Sequence, residues 1–256
     1  MVNLTETERI TLETVKKIVQ KEIRPMAGPL DEKGEFPWHA HKVFSEVGLM
    51  ATLIPEEYGG MGLRYLVFSM ILEEISKVCA SSALLLIAQA DGTLPILYRG
   101  SEDQKKTLVP ELAKGAIGAF AAPEPNAGSD ILSMGTRATY SEGFYLINGQ
   151  KCFITNGSVA DLICLFAYTD PEKRAKGVSA FVVEKGSPGL SYGKNENKMG
   201  MKGSVNSELF FENMRIPESH RIGEEGEGFS LMMKTLDSSR LFCASQAVGI
   251  AQGAID

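Results

Sequence analysis

The chain is poor in the residues that usually announce a metal or thiol site, with three histidines and four cysteines among 256 residues. Cys79, Cys152, Cys164 and Cys243 show neither C-x-x-C spacing nor the density of a disulfide scaffold, and they are expected to be reduced core thiols. His39 and His41 lie two apart in a helical pattern, which turns their side chains away from one another, so no metal site is expected. There is no G-x-S-x-G, no G-x-x-x-x-G-K-[ST] and no G-x-G-x-x-G after a strand, which argues against a hydrolase elbow, a P-loop or a dinucleotide fingerprint. Basic runs are missing too, and a net charge of -6 argues against nucleic acid or an anionic membrane surface as a partner. Apolar runs read as short of the roughly 20 residues that span a bilayer, and MVNLTETERI has no apolar signal region. A cytoplasmic protein acting on small molecules is the expectation.

What the chain does have is a clear order of periodicities. Leu12, Val15, Ile18, Val19 and Ile23 recur at helical spacing, with Thr5 and Glu8 placed as a capping box and Pro25 as the expected stop. A second helix is predicted over about Pro37 to Val47, two buried helices within Tyr65 to Ala90 meeting near CASSA, and another opening at Ser101 and stopping at Gly115. Beyond Gly115 the pattern changes to short β-branched and aromatic runs separated by turn signals, of which Asn148-Gly149 reads as the clearest hairpin. From Phe229 a helical period returns, with Met232, Leu236, Leu241, Ala244, Val248 and Ile250 marking its apolar face. So broad a face calls for helical partners, expected in a further portion of this chain or in another chain. The predicted organisation is an all-helical domain (1–117), a central antiparallel, barrel-like β domain (118–228) and the start of a helical bundle (229–256).

Three local patterns carry chemistry. In FAAPEPNAGSD, Pro123, Pro125 and Gly128 forbid regular helix, while Ser129 and the surrounding amides offer donors to an anionic group; the stretch reads as a proline-rich domain boundary or as a ligand loop. Alternation puts Phe153 and Thr155 on one strand face, able to meet a planar heterocycle or simply to pack. Asp237 and Arg240 stand one helical turn apart, the spacing of a surface ion pair.

Four stretches, IPEEYGGMG (54–62), APEPNAGSD (122–130), KCFITNGSVAD (151–161) and LFFENMRIPESHRIGEEGEGF (209–229), together resemble the acyl-CoA dehydrogenase family of flavoenzymes. The resemblance covers essentially the whole chain. It implies α,β-dehydrogenation of an acyl-CoA thioester with FAD as cofactor, an electron-transfer flavoprotein as acceptor and a homotetramer as the complete assembly. By family match, Phe120, Ala122, Pro123, Ser129, Phe153 and Thr155 would contact the cofactor, and Ser129, Asp237 and Arg240 the acyl-CoA. Two departures stand out. Pro123 replaces a threonine that can give its hydroxyl and amide to the flavin edge, and Ser239 occupies the position before Arg240 where some members carry a catalytic glutamate. No residue of the chain is therefore assigned as catalytic. Asp91, beside Gly92 where the family generally has an apolar residue, reads as a satisfied buried acid, a surface residue, or a mark of a polar acyl group. A non-catalytic acyl-CoA or flavin-binding protein and a flavin monooxygenase or oxidase on the same scaffold are the alternative functions.

Overall fold

The computed structural model describes residues 3–256. Its helical portion comprises α1 (Glu6–Ile18), α2 (Arg24–Lys33), α3 (Trp38–Glu46), α4 (Tyr65–Ser76), α5 (Ala80–Arg99) and α6 (Glu102–Lys114). The two capping boxes form as the sequence predicts: Thr5 and Glu8 close the start of α1, and Ser101 and Gln104 that of α6. Pro25, however, stops nothing. A single wide turn over Val19–Ile23, closed by the Arg24 N–H donating to the Val19 carbonyl, joins α1 to α2 without a break, and it is this widened turn that takes up the ring and missing N–H of Pro25.

α5 corrects the reading of apolar run length. It is long and apolar enough, by length and composition, to cross a membrane, but 78% of its apolar window is buried inside the fold. It is the central core helix, packed against α4 and α6 and against the first strand of the sheet.

Eight strands follow: β1 (Gly118–Ala121), β2 (Arg137–Ser141), β3 (Phe144–Thr155), β4 (Leu162–Tyr168), β5 (Val178–Glu184), β6 (Leu190–Asn195), β7 (Asn206–Pro217) and β8 (Arg221–Ile222). They form one sheet in the order β6-β7-β3-β2-β4-β5-β8, with β1 beside β4. Most pairs are antiparallel, as expected. β1 runs parallel to β4, because it arrives from α6 rather than through a hairpin and is free to enter in either sense. The Asn148-Gly149 hairpin is not there. β3 continues through both residues with a register shift, and the turn lies at Glu142-Gly143, whose φ values of 48° and 84° suit a tight hairpin. The Asn148 carboxamide instead accepts from the Asn213 amide on β7 at 2.8 Å.

A last helix, α7 (Gly228–Ile255), crosses α4 and α5. Its packed face matches the predicted one at Met232, which is buried, and at Leu236, which is half-buried, but departs from it further along. Leu231, Met232, Thr235, Ser239, Phe242, Gln246 and Gly249 are buried, whereas Leu241, Ala244, Val248 and Ile250 are exposed. Buried Thr235, Ser239 and Gln246 and exposed Leu241, Val248 and Ile250 blur the periodic signal over the later turns, and close approach decides which side packs. Phe242 sits edge-on to Tyr65 and Phe68 of α4, and a Cβ at Gly249 would lie 2.3 Å from the Glu73 carbonyl oxygen. The same rotation puts Cys243 on the surface, against the expectation of a core thiol, while Cys79, Cys152 and Cys164 are buried. Substituting Gly249→Val must push α7 off α4; a loss of about 1–3 kcal/mol in chemical denaturation is expected.

Candidate functional site

The site begins with the loop that follows β1. Glu124 and Ala127 exchange backbone hydrogen bonds of 3.0 Å, which folds the Pro-rich stretch into a tight turn. The Glu124 carboxylate points inward, accepting from the amides of Gly135 (2.5 Å) and Thr136 (3.0 Å) and from Lys151 Nζ of β3 (2.8 Å). Lys151 also donates to the Ala122 carbonyl at 2.9 Å, and the Cys152 amide donates to the Pro123 carbonyl at 3.0 Å. Both ends of the loop are thus tied to one strand. Lys151 is wholly buried, and burial pulls its ammonium down to about 8 in spite of its carboxylate partner. Burial pushes the Glu124 carboxyl upward, but Lys151 and the two amides outweigh it and hold the acid below its ordinary value. The pair is ionised at neutral pH.

With its carbonyls engaged by β3, the loop presents its other side to an open cleft of about 610 Å³ between the sheet and helices α5 and α7. Phe120, Ala122, Pro123, Ser129, Phe153, Thr155 and Arg240 all line this cleft. Asp237 does not; it meets Arg240 at 2.5 Å as an exposed i,i+3 ion pair, the ordinary reading of that spacing. Phe153 and Thr155 do share the cleft face. Phe153 reaches it through a bulge between Lys151 and Ile154, with φ at 56°, and the ring stands 62% exposed. The hydroxyl of Ser129 and the amides of Gly128, Ser129 and Asp130 have no protein acceptor among the described residues. His39 and His41 go separate ways, to Glu22 and to the Gly115 carbonyl.

The helical wall is mostly apolar, with Leu84, Ile87 and Ala88 from α5 and Met232, Met233 and Leu236 from α7; its polar groups are Asp91 of α5 and Ser239 and Arg240 of α7. Asp91 Oδ2 accepts from Ser239 Oγ at 2.8 Å, while Oδ1 is sealed from solvent without a partner. Burial drives this acid up to about 7, and the Ser239 hydrogen bond opposes the shift only in part. Neither a surface position nor a fully satisfied buried acid describes Asp91. Sequence reasoning also missed the Glu124–Lys151 pair, since 27 residues separate its members and no local spacing links them. Cys243, at the rim beside Ser239, was hidden by the wrong choice of packed face.

A central sheet beside a helical domain, with a loop-and-strand floor facing an apolar helical wall, is the arrangement of a flavin-dependent acyl-CoA enzyme. The family model for the acyl-CoA dehydrogenase N-terminal domain matches residues 5–116, and that for the acyl-CoA dehydrogenase middle domain matches residues 119–214. The chain is 56% identical to cyclohex-1-ene-1-carbonyl-CoA dehydrogenase of Geobacter metallireducens, over all of this chain and 68% of that protein. It is 54% identical to the enzyme of that name from Syntrophus aciditrophicus, over all of this chain and 62% of that one. The structure of butyryl-CoA dehydrogenase from Megasphaera elsdenii superimposes with a TM-score of 0.95 at 37% identity, covering 99% of this chain and 68% of that one. The chain belongs to the acyl-CoA dehydrogenase family of FAD-dependent oxidoreductases, and it spans about two-thirds of the length of these relatives.

Because Lys151→Met leaves the Glu124 carboxylate buried without its cation, it should cost about 3–5 kcal/mol by urea denaturation. Adding Glu124→Gln should restore part of that loss, a non-additivity the double-mutant cycle reads directly.

Proposed function

We propose that this protein takes part in the oxidation of an alicyclic acyl-CoA thioester, with Asp91 as the group that receives the substrate proton. The observation that carries the reading is the buried, unpartnered Oδ1 of Asp91, a residue that lines the cleft among the mainly apolar side chains of α5 and α7. The donor set fits a flavin: an exposed aromatic face (Phe153), a strand hydroxyl (Thr155) and a loop with free amides and the Ser129 hydroxyl suit a planar ring bearing polar edges. Phe120, Ala122, Pro123, Phe153 and Thr155 would hold FAD, which supplies the acceptor for the hydride when bound. Pro123 has neither an N–H nor a hydroxyl to give, so one edge contact that a threonine would supply is missing here.

Ser129 and Arg240 border the cleft and suit the polar part of coenzyme A, with Arg240 shared between Asp237 and the ligand. Leu84, Ile87 and Leu236 exclude water around the acyl group, which strengthens the pull of any charge placed there. Ser239 donates to Oδ2 of Asp91 and leaves Oδ1 without a partner; Oδ1 has no exposed surface in the substrate-free protein, so the Asp91 carboxylate must turn toward the cleft before it takes a substrate C–H proton. A carboxyl that titrates at about 7 is matched to this task, being half ionised at neutral pH yet able to hold the proton it takes. The alicyclic acyl group follows from the names of the two relatives at 54–56% identity, both cyclohex-1-ene-1-carbonyl-CoA dehydrogenases. Electron transfer to an electron-transfer flavoprotein, assembly as a homotetramer and a cytoplasmic location belong to the same proposal.

Anaerobic mixing of the FAD-loaded protein with cyclohex-1-ene-1-carbonyl-CoA should bleach the flavin band, and butyryl-CoA should do so more slowly. Asp91→Asn should slow bleaching by about 10²–10⁴-fold with FAD still bound. In the wild type the rate should rise with pH through about 7, as Oδ1 ionises. Bound flavin that no acyl-CoA bleaches in the wild type would mark a binding protein rather than a dehydrogenase.

The same group fixes a stability signature. The folded-state pKa lies above the unfolded value, so the native state holds the extra proton between about pH 4 and 7. Stability contributed by neutral Asp91 is present below pH 4 and lost as pH rises through 7. Asp91→Asn should therefore gain about 1–3 kcal/mol over the wild type at pH 8.5, and little at pH 4, in denaturant unfolding.

A further inference from the structure

Behind Thr155 lies a polar chain that the cleft lining alone does not account for. Thr155 on β3 and Asn206 on β7 are direct cross-strand partners. Lys198, in the segment between β6 and β7, donates to the Asn206 Oδ1 at 2.8 Å and to the Ser204 carbonyl. An ammonium can only donate, so the Asn206 carboxamide must turn its oxygen to Lys198 and its NH₂ the other way. That NH₂ meets Thr155 Oγ1 at 3.1 Å and the Phe153 carbonyl, itself a pure acceptor, at 3.3 Å. Two independent partners thus fix the same orientation. The Thr155 hydroxyl is held as an acceptor on its strand side, and its own proton has no acceptor among the described residues. Thr155 lines the cleft, so that proton is left for a ligand.

We infer that Lys198 and Asn206 act as positioning residues that lock Thr155 as a hydrogen-bond donor toward an acceptor atom on the edge of the bound flavin ring. The inference rests on the FAD reading above and goes beyond it. A cation two hydrogen bonds away polarises the hydroxyl, so the donor is stronger than an isolated threonine. Its effect grows when the ring gains negative charge on reduction, which favours the reduced flavin. The grip on the Phe153 carbonyl serves the same end, because Phe153 and Thr155 share one carboxamide and cannot move independently on the cleft floor.

The test is the variant Asn206→Asp, nearly identical in size and still paired with Lys198. A carboxylate only accepts, so it must take the Thr155 proton and leave lone pairs facing the flavin. Reductive titration of the FAD-loaded protein against a reference dye should show N206D shifted toward the oxidised flavin. The expected shift is about tenfold in the reduced-to-oxidised ratio, or ~30 mV for a two-electron couple. In a Thr155→Val background, where no hydroxyl remains to be reversed, N206D should shift the ratio much less. Equal shifts in both backgrounds would mean that only through-space charge is at work and would overturn the relay; so would no shift in either. A wild-type protein that takes up no FAD would instead sink the cofactor reading, and the relay with it, before any variant is compared.

Discussion

The buried Glu124–Lys151 pair is the constraint on which the cleft depends. A loop with two prolines and a glycine has few ways to hold itself, and its backbone groups cannot be satisfied by helix or ladder. Here one carboxylate gathers the amides of Gly135 and Thr136, and one ammonium ties that carboxylate and the Ala122 carbonyl to β3. The result is directional: the carbonyls turn to the sheet and the free donors turn to the cleft. An ion pair this deep contributes little net stability, since desolvating both charges offsets most of their attraction. What it provides is a single loop geometry, which an apolar pair of the same volume would specify less sharply.

The helical wall shows the opposite compromise. Asp91 costs stability whenever it is ionised, because its Oδ1 has neither water nor a donor. Ser239 offers one hydrogen bond and no charge, enough to orient the acid without satisfying it. The serine before Arg240 and the acid on α5 are thus two halves of one arrangement: the position that carries a glutamate in some family members here supports a carboxylate delivered from the neighbouring helix.

How much of this could be read from the sequence depended on how local the signal was. Capping boxes at Thr5/Glu8 and Ser101/Gln104 are contacts across three residues and were legible, as were the helix–strand–helix order and the strand runs. Motif resemblance placed seven of the eight cleft and ligand residues where the structure brings them together; Asp237 alone stands apart from the lining. The errors came where tertiary packing overrides a local rule. Asn148-Gly149 is good hairpin chemistry, yet the chain can cross it as a bulge because β7 supplies a partner for each side. The packed face of α7 was set by close approach at Gly249 and by Phe242, not by the sum of apolar residues. Long-range pairs, Glu124 with Lys151 and Asn206 with Thr155, leave no mark on spacing at all.

The central claim is that one cleft holds the flavin on its β floor and presents the acyl group to Asp91 on its helical wall. A diffraction structure of the protein with FAD and cyclohex-1-ene-1-carbonyl-CoA tests it most directly. The account predicts the ring system against Phe153 and Thr155, and a substrate ring carbon facing Asp91 Oδ1 with no water between them. A flavin seated elsewhere, or an acyl group directed away from Asp91 with that oxygen still sealed in protein, would contradict it.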